Sequence, residues 1–173
     1  MIGCKSSGPS SAIGQPIAQK KASGPLEDRG FKTSEIEVVQ KNDDLEDVWK
    51  AHAKSSELVL HGDAGLSGKL FGVAGKMIKH KRPIADFKAE SVIADKKKKL
   101  LVMMGKVKIR SLENKTTLFA DKIKWKTNED FVHAFGNVKV ESPEYITGPY
   151  KHLVASTKLD QFGTPDKIIK NRS

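Results

Sequence analysis

The sequence predicts an all-β chain: a meander of antiparallel strands assembled from repeated hairpins, behind a flexible N-terminal tail. Three observations carry that prediction. One pattern occurs twice between Ala89 and Val140 at a fixed spacing; Ala89 to Ala120 is 31 positions, and so is Gly105 to Gly136. Residues inside each copy alternate with a period of two, the periodicity of a strand. Turn-forming connectors, Glu113-Asn114-Lys115 and Thr127-Asn128-Glu129-Asp130, separate the alternating runs.

The first copy opens at Phe87-Lys88-Ala89 and closes at Met104-Gly105-Lys106-Val107-Lys108-Ile109. The second opens at Leu118-Phe119-Ala120 and closes at Phe135-Gly136-Asn137-Val138-Lys139-Val140. In the first, Leu101, Met103, Gly105, Val107 and Ile109 share one face. In the second, that face carries Val132, Ala134, Gly136, Val138 and Val140. The opposite face is apolar only in its first half, as Phe131, His133, Phe135, Asn137 and Lys139 illustrate. Such strands are covered on both sides early and wet on one side late. The repeated glycine predicts a bulge or a close backbone approach that curves the sheet. Units of this length bury their apolar face by stacking on neighbours.

Outward from the centre the pattern loosens. Trp49-Lys50-Ala51-His52-Ala53 reads as an opening, Ala74-Gly75-Lys76-Met77 as a closing, and Leu153-Val154-Ala155 as another opening. The openings then fall at Ala53, Ala89, Ala120 and Ala155, spaced 36, 31 and 35. Ala53 to Gly75 is 22 positions against 16 in the central copies, which predicts an inserted loop around His61-Gly62-Asp63-Ala64-Gly65. Atypical outer copies are expected where the ends cap a stack.

In chain order, the 173 residues divide into a tether over 1–25 and one domain over 26–173. Residues 5–25 carry Ser6-Ser7-Gly8-Pro9-Ser10-Ser11 and Ser23-Gly24-Pro25 and few large apolar side chains, so they do not offset their ordering entropy. Cys4 is the only cysteine, which excludes a disulfide framework and a Cys-based metal site. Ile2-Gly3-Cys4 resembles the end of a bacterial lipobox, whose cysteine is acylated, yet no charged region or apolar run precedes it. Either a preceding segment is missing or Cys4 is an inert thiol. No stretch reaches transmembrane-helix length. Over 35–60, Leu45, Val48, Trp49 and His52 fit a helix face, whereas the repeat register reads strand; strand is the expectation. Ile36-Glu37-Val38-Val39 reads as the first strand and Gly68–Ile78 as a later one.

Lys79-His80-Lys81-Arg82-Pro83 and Lys96-Lys97-Lys98-Lys99 are basic runs between strands. As turns they are solvated; with a net charge of +10 they also offer affinity for anionic polymers or headgroups. Catalytic chemistry is not legible. The five histidines have no metal-ligand spacing. Gly65-Leu66-Ser67-Gly68-Lys69-Leu70 lacks the glycine spacer and the magnesium-binding hydroxyl of a phosphate loop. The expectation is a binder or carrier with no enzyme activity, cofactor or metal.

The openings Trp49–Ala53, Phe87–Ala89 and Leu118–Trp125, each followed by a closing such as Val132–Val140, resemble the OstA-like family. These are the periplasmic β-jellyroll proteins of lipopolysaccharide transport, of the LptA and LptC type, and the likeness spans about residues 36–162. A single jellyroll behind an anchored N-terminus looks closest to LptC. The resemblance implies an open, twisted antiparallel β-jellyroll with an apolar groove for acyl chains. It also implies edge-to-edge pairing with partner jellyrolls, an inner-membrane transporter complex as a possible partner, and a membrane-tethered periplasmic location. Leu101, Met103, Val107, Ile109, Val132, Ala134, Val138 and Val140 are the groove candidates. Lys96, Lys97, Lys98 and Lys99 are the anionic-headgroup candidates, and Cys4 is the lipidation candidate. Two other readings stand beside this one: a basic sheet module for nucleic acid or another polyanion, and an envelope scaffold with a filled core. Aromatics are 6% of the chain and lie within apolar alternation, so nucleic acid is not the expected partner.

Overall fold

Alternation continued over ten or more residues makes long strands. The computed structural model describes residues 29–60 and 66–170. Nine strands follow in chain order: β1 (Arg29–Lys41), β2 (Asp47–Leu60), β3 (Leu66–Lys79), β4 (Arg82–Asp95), β5 (Leu100–Ser111), β6 (Thr117–Lys126), β7 (Phe131–Glu141), β8 (Ile146–Ser156) and β9 (Phe162–Gly163). A short helix, α1 (Pro165–Lys170), closes the described chain. The strands form one open antiparallel sheet in sequence order from β1 to β9, a jellyroll-like meander. The tether, Cys4 and the loop His61–Gly65 lie outside the described residues.

Over 35–60 the strand register prevails over helix propensity, because Trp49, Ala51 and Ala53 on β2 are buried at 1%, 3% and 0% exposure. A helix would spread them around its axis. The first basic run is a hairpin turn: His80 and Lys81 have φ of 49° and 62°, and two consecutive positive φ values match the right-handed twist of the flanking strands.

The long strands bend at one row that crosses the sheet. Pairing places Glu35, Lys54, Gly72 and Glu90 in line, then the pair Gly105-Lys106, Asp121, the pair Gly136-Asn137, and Lys151. Alternate strands carry left-handed backbone there: Glu35 (φ 50°), Gly72 (58°), Gly105 (77°) with Lys106 (44°), and Gly136 (72°) with Asn137 (47°). On β5 and β7 an extra residue is accommodated as a bulge, with the register shifting between Met104 and Val107 and between Phe135 and Val138. Inward positions slip phase at the row. Ala53 is followed by Ser56, Ala89 by Val92, and Ala120 by Ile123. The sheet can then fold while one side stays apolar on both halves. The recurring alanine is the last inward residue before the bend, and the recurring glycine is the bend itself on the next strand. A Cβ at Gly136 would lie 2.5 Å from Asp121 Oδ2, so the glycine serves both the φ and the close approach.

Two landmarks of the sequence reading fall elsewhere. Gly72, opposite Lys54, occupies the bend of β3; Gly75 does not. Gly75 sits opposite Ala51 and Phe87, and a Cβ there would lie 2.5 Å from Phe87 Cζ, so its role is to make room for that ring. Ala155 pairs with Val132, away from the bend, which crosses β8 at Lys151. Spacing alone does not separate a glycine that bends from one that yields space.

Candidate functional site

The inward side chains of both halves form one apolar cluster. All eight groove candidates belong to it. Leu101, Met103, Ile109, Val132, Ala134 and Val138 are 0% exposed, and Val107 and Val140 are 1%. They meet in rows across the sheet. Met103 is opposite Ile123, and Ile123 opposite Ala134. Leu101 is opposite Trp125, and Trp125 opposite Val132. On the other half, Ile109 is opposite Leu118, and Leu118 opposite Val140. The structure therefore brings the eight together, packed against neighbours. Burying each large side chain contributes about 1.5–3 kcal/mol.

Folding at the bend brings the two rims of turns together as a polar seam. Lys99 Nζ lies 2.7 Å from Asp43 Oδ2, and Lys79 Nζ lies 2.7 Å from Asp130 Oδ1. Further along, Asn114 Nδ2 donates to the Leu159 carbonyl at 2.9 Å. Gln40 bridges rim and interior: its Oε1 accepts from Trp49 Nε1 at 2.8 Å, and its Nε2 donates to Thr127 Oγ1 at 3.3 Å. The Lys99 hydrogen bond, and then its charge, hold the Asp43 carboxyl below its ordinary value. These links are exposed ion pairs and single hydrogen bonds. Such contacts are individually weak, and what chiefly holds the two halves together is the apolar cluster buried between them.

The seam has an opening at the β1 end. A polar mouth of about 330 Å³ lies among four lysines, Lys41, Lys79, Lys96 and Lys99, and four acids, Asp43, Asp44, Glu46 and Asp47. Beside it, sharing Gln40, Lys41 and Lys96, an apolar slot of about 80 Å³ runs in against Trp49, Leu58, Leu70 and Ala94. Trp49, Leu58 and Leu70 belong to the apolar cluster, so the slot is the place where the core meets the surface. Ser56, opposite Leu70 on the inner side, carries a buried hydroxyl with no hydrogen-bond partner.

The four headgroup candidates occupy the β4–β5 turn but not one role. Lys96 reaches both openings. Lys98 is bound to Asp95, its N–H donating at 3.0 Å and its Nζ lying 3.3 Å away. That N–H is the largest reason the Asp95 carboxyl sits below its ordinary value. Lys99 holds Asp43, and Lys97 is exposed. Sequence reasoning missed Lys41, Gln40 and Leu70 as parts of the opening. No local signal marks them, because they meet Lys96 only through the fold.

Among the described residues no group of three or more His, Cys, Asp or Glu could hold a metal ion. None of their helices is long and apolar enough to cross a membrane. No protein-family model and no curated protein matches this sequence.

Proposed function

We propose that this chain is a non-catalytic carrier of lipopolysaccharide or a related anionic lipid, of the OstA-like, LptC or LptA type. It takes acyl chains between the two halves of its folded sheet and works tethered in a bacterial periplasm. The observation that carries this reading is the opening at the β1 end. An apolar slot leads from Lys41 and Lys96 at the surface to Trp49, Leu58 and Leu70 in the core. Such a lipid presents acyl chains and phosphates together, and this opening sets an apolar slot beside Lys96 and beside Lys41, which Asp47 pairs at 3.2 Å. Met103 gives the interior an adaptable lining. Entry requires the two halves to part, with acyl chains replacing the apolar contacts between them. β1, at the end of the sheet, supplies an edge for pairing with a partner jellyroll or an inner-membrane transporter.

A second reading, a structural scaffold with a filled core, is favoured by the complete burial of the eight inward residues. One experiment divides the two. A photo-crosslinking side chain at Met103 or Ala134 should capture lipopolysaccharide, while the same probe at Lys108 or Lys139 should not. Capture at neither inward position would leave the scaffold.

A further inference from the structure

The folded sheet has two outer faces, and they differ in kind. The half bearing Lys88, Lys108 and Lys139 is a mixed-charge surface. Its acids pair locally: Asp86 with Lys76 at 2.7 Å, Glu90 with Lys106 at 3.0 Å, and Glu141 with Lys139 at 2.7 Å. That is a surface built for water. On the other half, two outward rows run across β4 to β7. One reads Ser91, Met104, Lys122, Phe135 and the other Ile93, Val102, Lys124, His133. No Asp or Glu occupies either row. Ile93 is 39% exposed, and Val102, Met104 and Phe135 are half-buried. Lys124 Nζ lies over the Phe135 ring, 5.7 Å from its centroid, instead of against a carboxylate.

We infer that this outer face docks on an anionic lipid bilayer, with Ile93, Val102 and Met104 entering the headgroup layer and Lys122 and Lys124 meeting lipid phosphates. Charge and shape select that occupant. A second copy packed on the same face by a two-fold axis would set lysines against lysines. Nucleic acid needs open ring faces for stacking. Here Phe135 is already stacked on His152 at 4.3 Å and capped by Lys124. A bilayer asks only for apolar side chains ringed by long cationic ones, whose stems lie along the apolar surface while the amines reach phosphate. The opposite half also sets a lysine over a ring, Lys108 over Phe119 at 5.5 Å, but its neighbouring outward row carries Asp86 and Glu141 and it lacks the Ile93, Val102 and Met104 patch, so docking also orients the molecule. This surface is separate from the interior and from the opening at the β1 end, and it stands or falls apart from the lipid-carrier reading.

The test is co-sedimentation of the full chain carrying Cys4→Ser, so that no acyl anchor contributes. Vesicles of equal parts phosphatidylcholine and phosphatidylglycerol are compared with vesicles of phosphatidylcholine alone. The chain should bind the anionic vesicles and release them in high salt. Lys122→Gln with Lys124→Gln should weaken binding by about five-fold per lysine. Met104→Glu should weaken it further with the melting temperature retained. Lys88→Gln with Lys108→Gln, on the opposite face, should have little effect. Equal binding to both vesicle types would overturn the inference. So would full binding by the Lys122/Lys124 variant, or a loss confined to the Lys88/Lys108 variant. Lipid capture at Met103 is scored separately. Vesicle binding without capture retires the carrier role alone, and capture without vesicle binding retires the docking face alone.

Discussion

Ala134→Trp tests whether the interior is a conduit. Ala134 is 0% exposed, and its direct neighbours Ile123 and Leu153 are 0% and 6% exposed. With the halves packed, an indole there has no free volume. The 80 Å³ slot is lined by residues of β1 to β4 and the turn after β4 and does not reach β7. Overpacking should cost about 1–3 kcal/mol. In a domain of this size that is roughly a 2–12 °C fall in Tm. Wild type should answer differently to lipid. A ligand at about one hundred times its Kd stabilises the native state by about 2.7 kcal/mol, which at the same conversion is a rise of roughly 5–11 °C. The assay is thermal unfolding of both proteins with and without monomeric lipopolysaccharide, paired with photo-crosslinking from Met103. The expected outcome is a lipid-dependent rise and a crosslink in wild type, and neither in Ala134→Trp, which still folds. If wild type shows no rise over a wide lipid range and no crosslink, the halves do not part and the transport reasoning is refuted.

Other expectations follow from the same geometry. Gly136→Ala should lose about 1–2 kcal/mol because φ is +72° there. Adding Asp121→Ala should restore only the steric part, since the 2.5 Å approach to Asp121 Oδ2 is removed while the φ strain stays; a double-mutant cycle by urea melts reads the split. Lys41→Gln with Lys96→Gln should weaken capture of an anionic lipid more than Lys97→Gln with Lys98→Gln, because only the first pair borders the slot; equal losses would make the whole turn a diffuse basic patch. Burial, and then the charge of His133, hold the His152 pKa below its ordinary 6.5. Its contribution to stability is therefore full above 6.5 and is lost as pH falls from there towards the lower folded value. Denaturant melts across that window should steepen in wild type and flatten in His152→Gln, and an unchanged slope would remove His152 as the source.

Much of the fold was legible along the chain because its determinants are local. Alternation with a period of two marks Leu101, Met103, Val107 and Ile109 as one face whatever lies opposite, and burial of all four follows from it. Gly105 and Gly136 stand out because each combines a left-handed backbone with a close approach to the neighbouring strand's Glu90 or Asp121, which a glycine meets without strain. The strand at Trp49–Ala53 was readable from register where propensity pointed to a helix. Gly75 was misplaced for the complementary reason: a glycine that yields to Phe87, twelve positions away across a strand pair, looks in sequence like one that bends the chain.

The remaining features depend on residues that the bend brings together. Lys96-Lys97-Lys98-Lys99 is one run in the sequence, yet Lys99 is held by Asp43 across the seam, Lys98 by Asp95 in its own turn, and Lys96 alone borders the slot. Gln40 and Thr127 are 87 positions apart and share a hydrogen bond. Lys122 and Phe135 become neighbours on one outer face only because β6 and β7 pair in that register. Strand identity and inward orientation are properties of a residue and its near neighbours, and they can be read along the chain. The seam, the opening at the β1 end and the contrast between the two outer faces come from where a folded sheet meets itself, and no local pattern encodes that meeting.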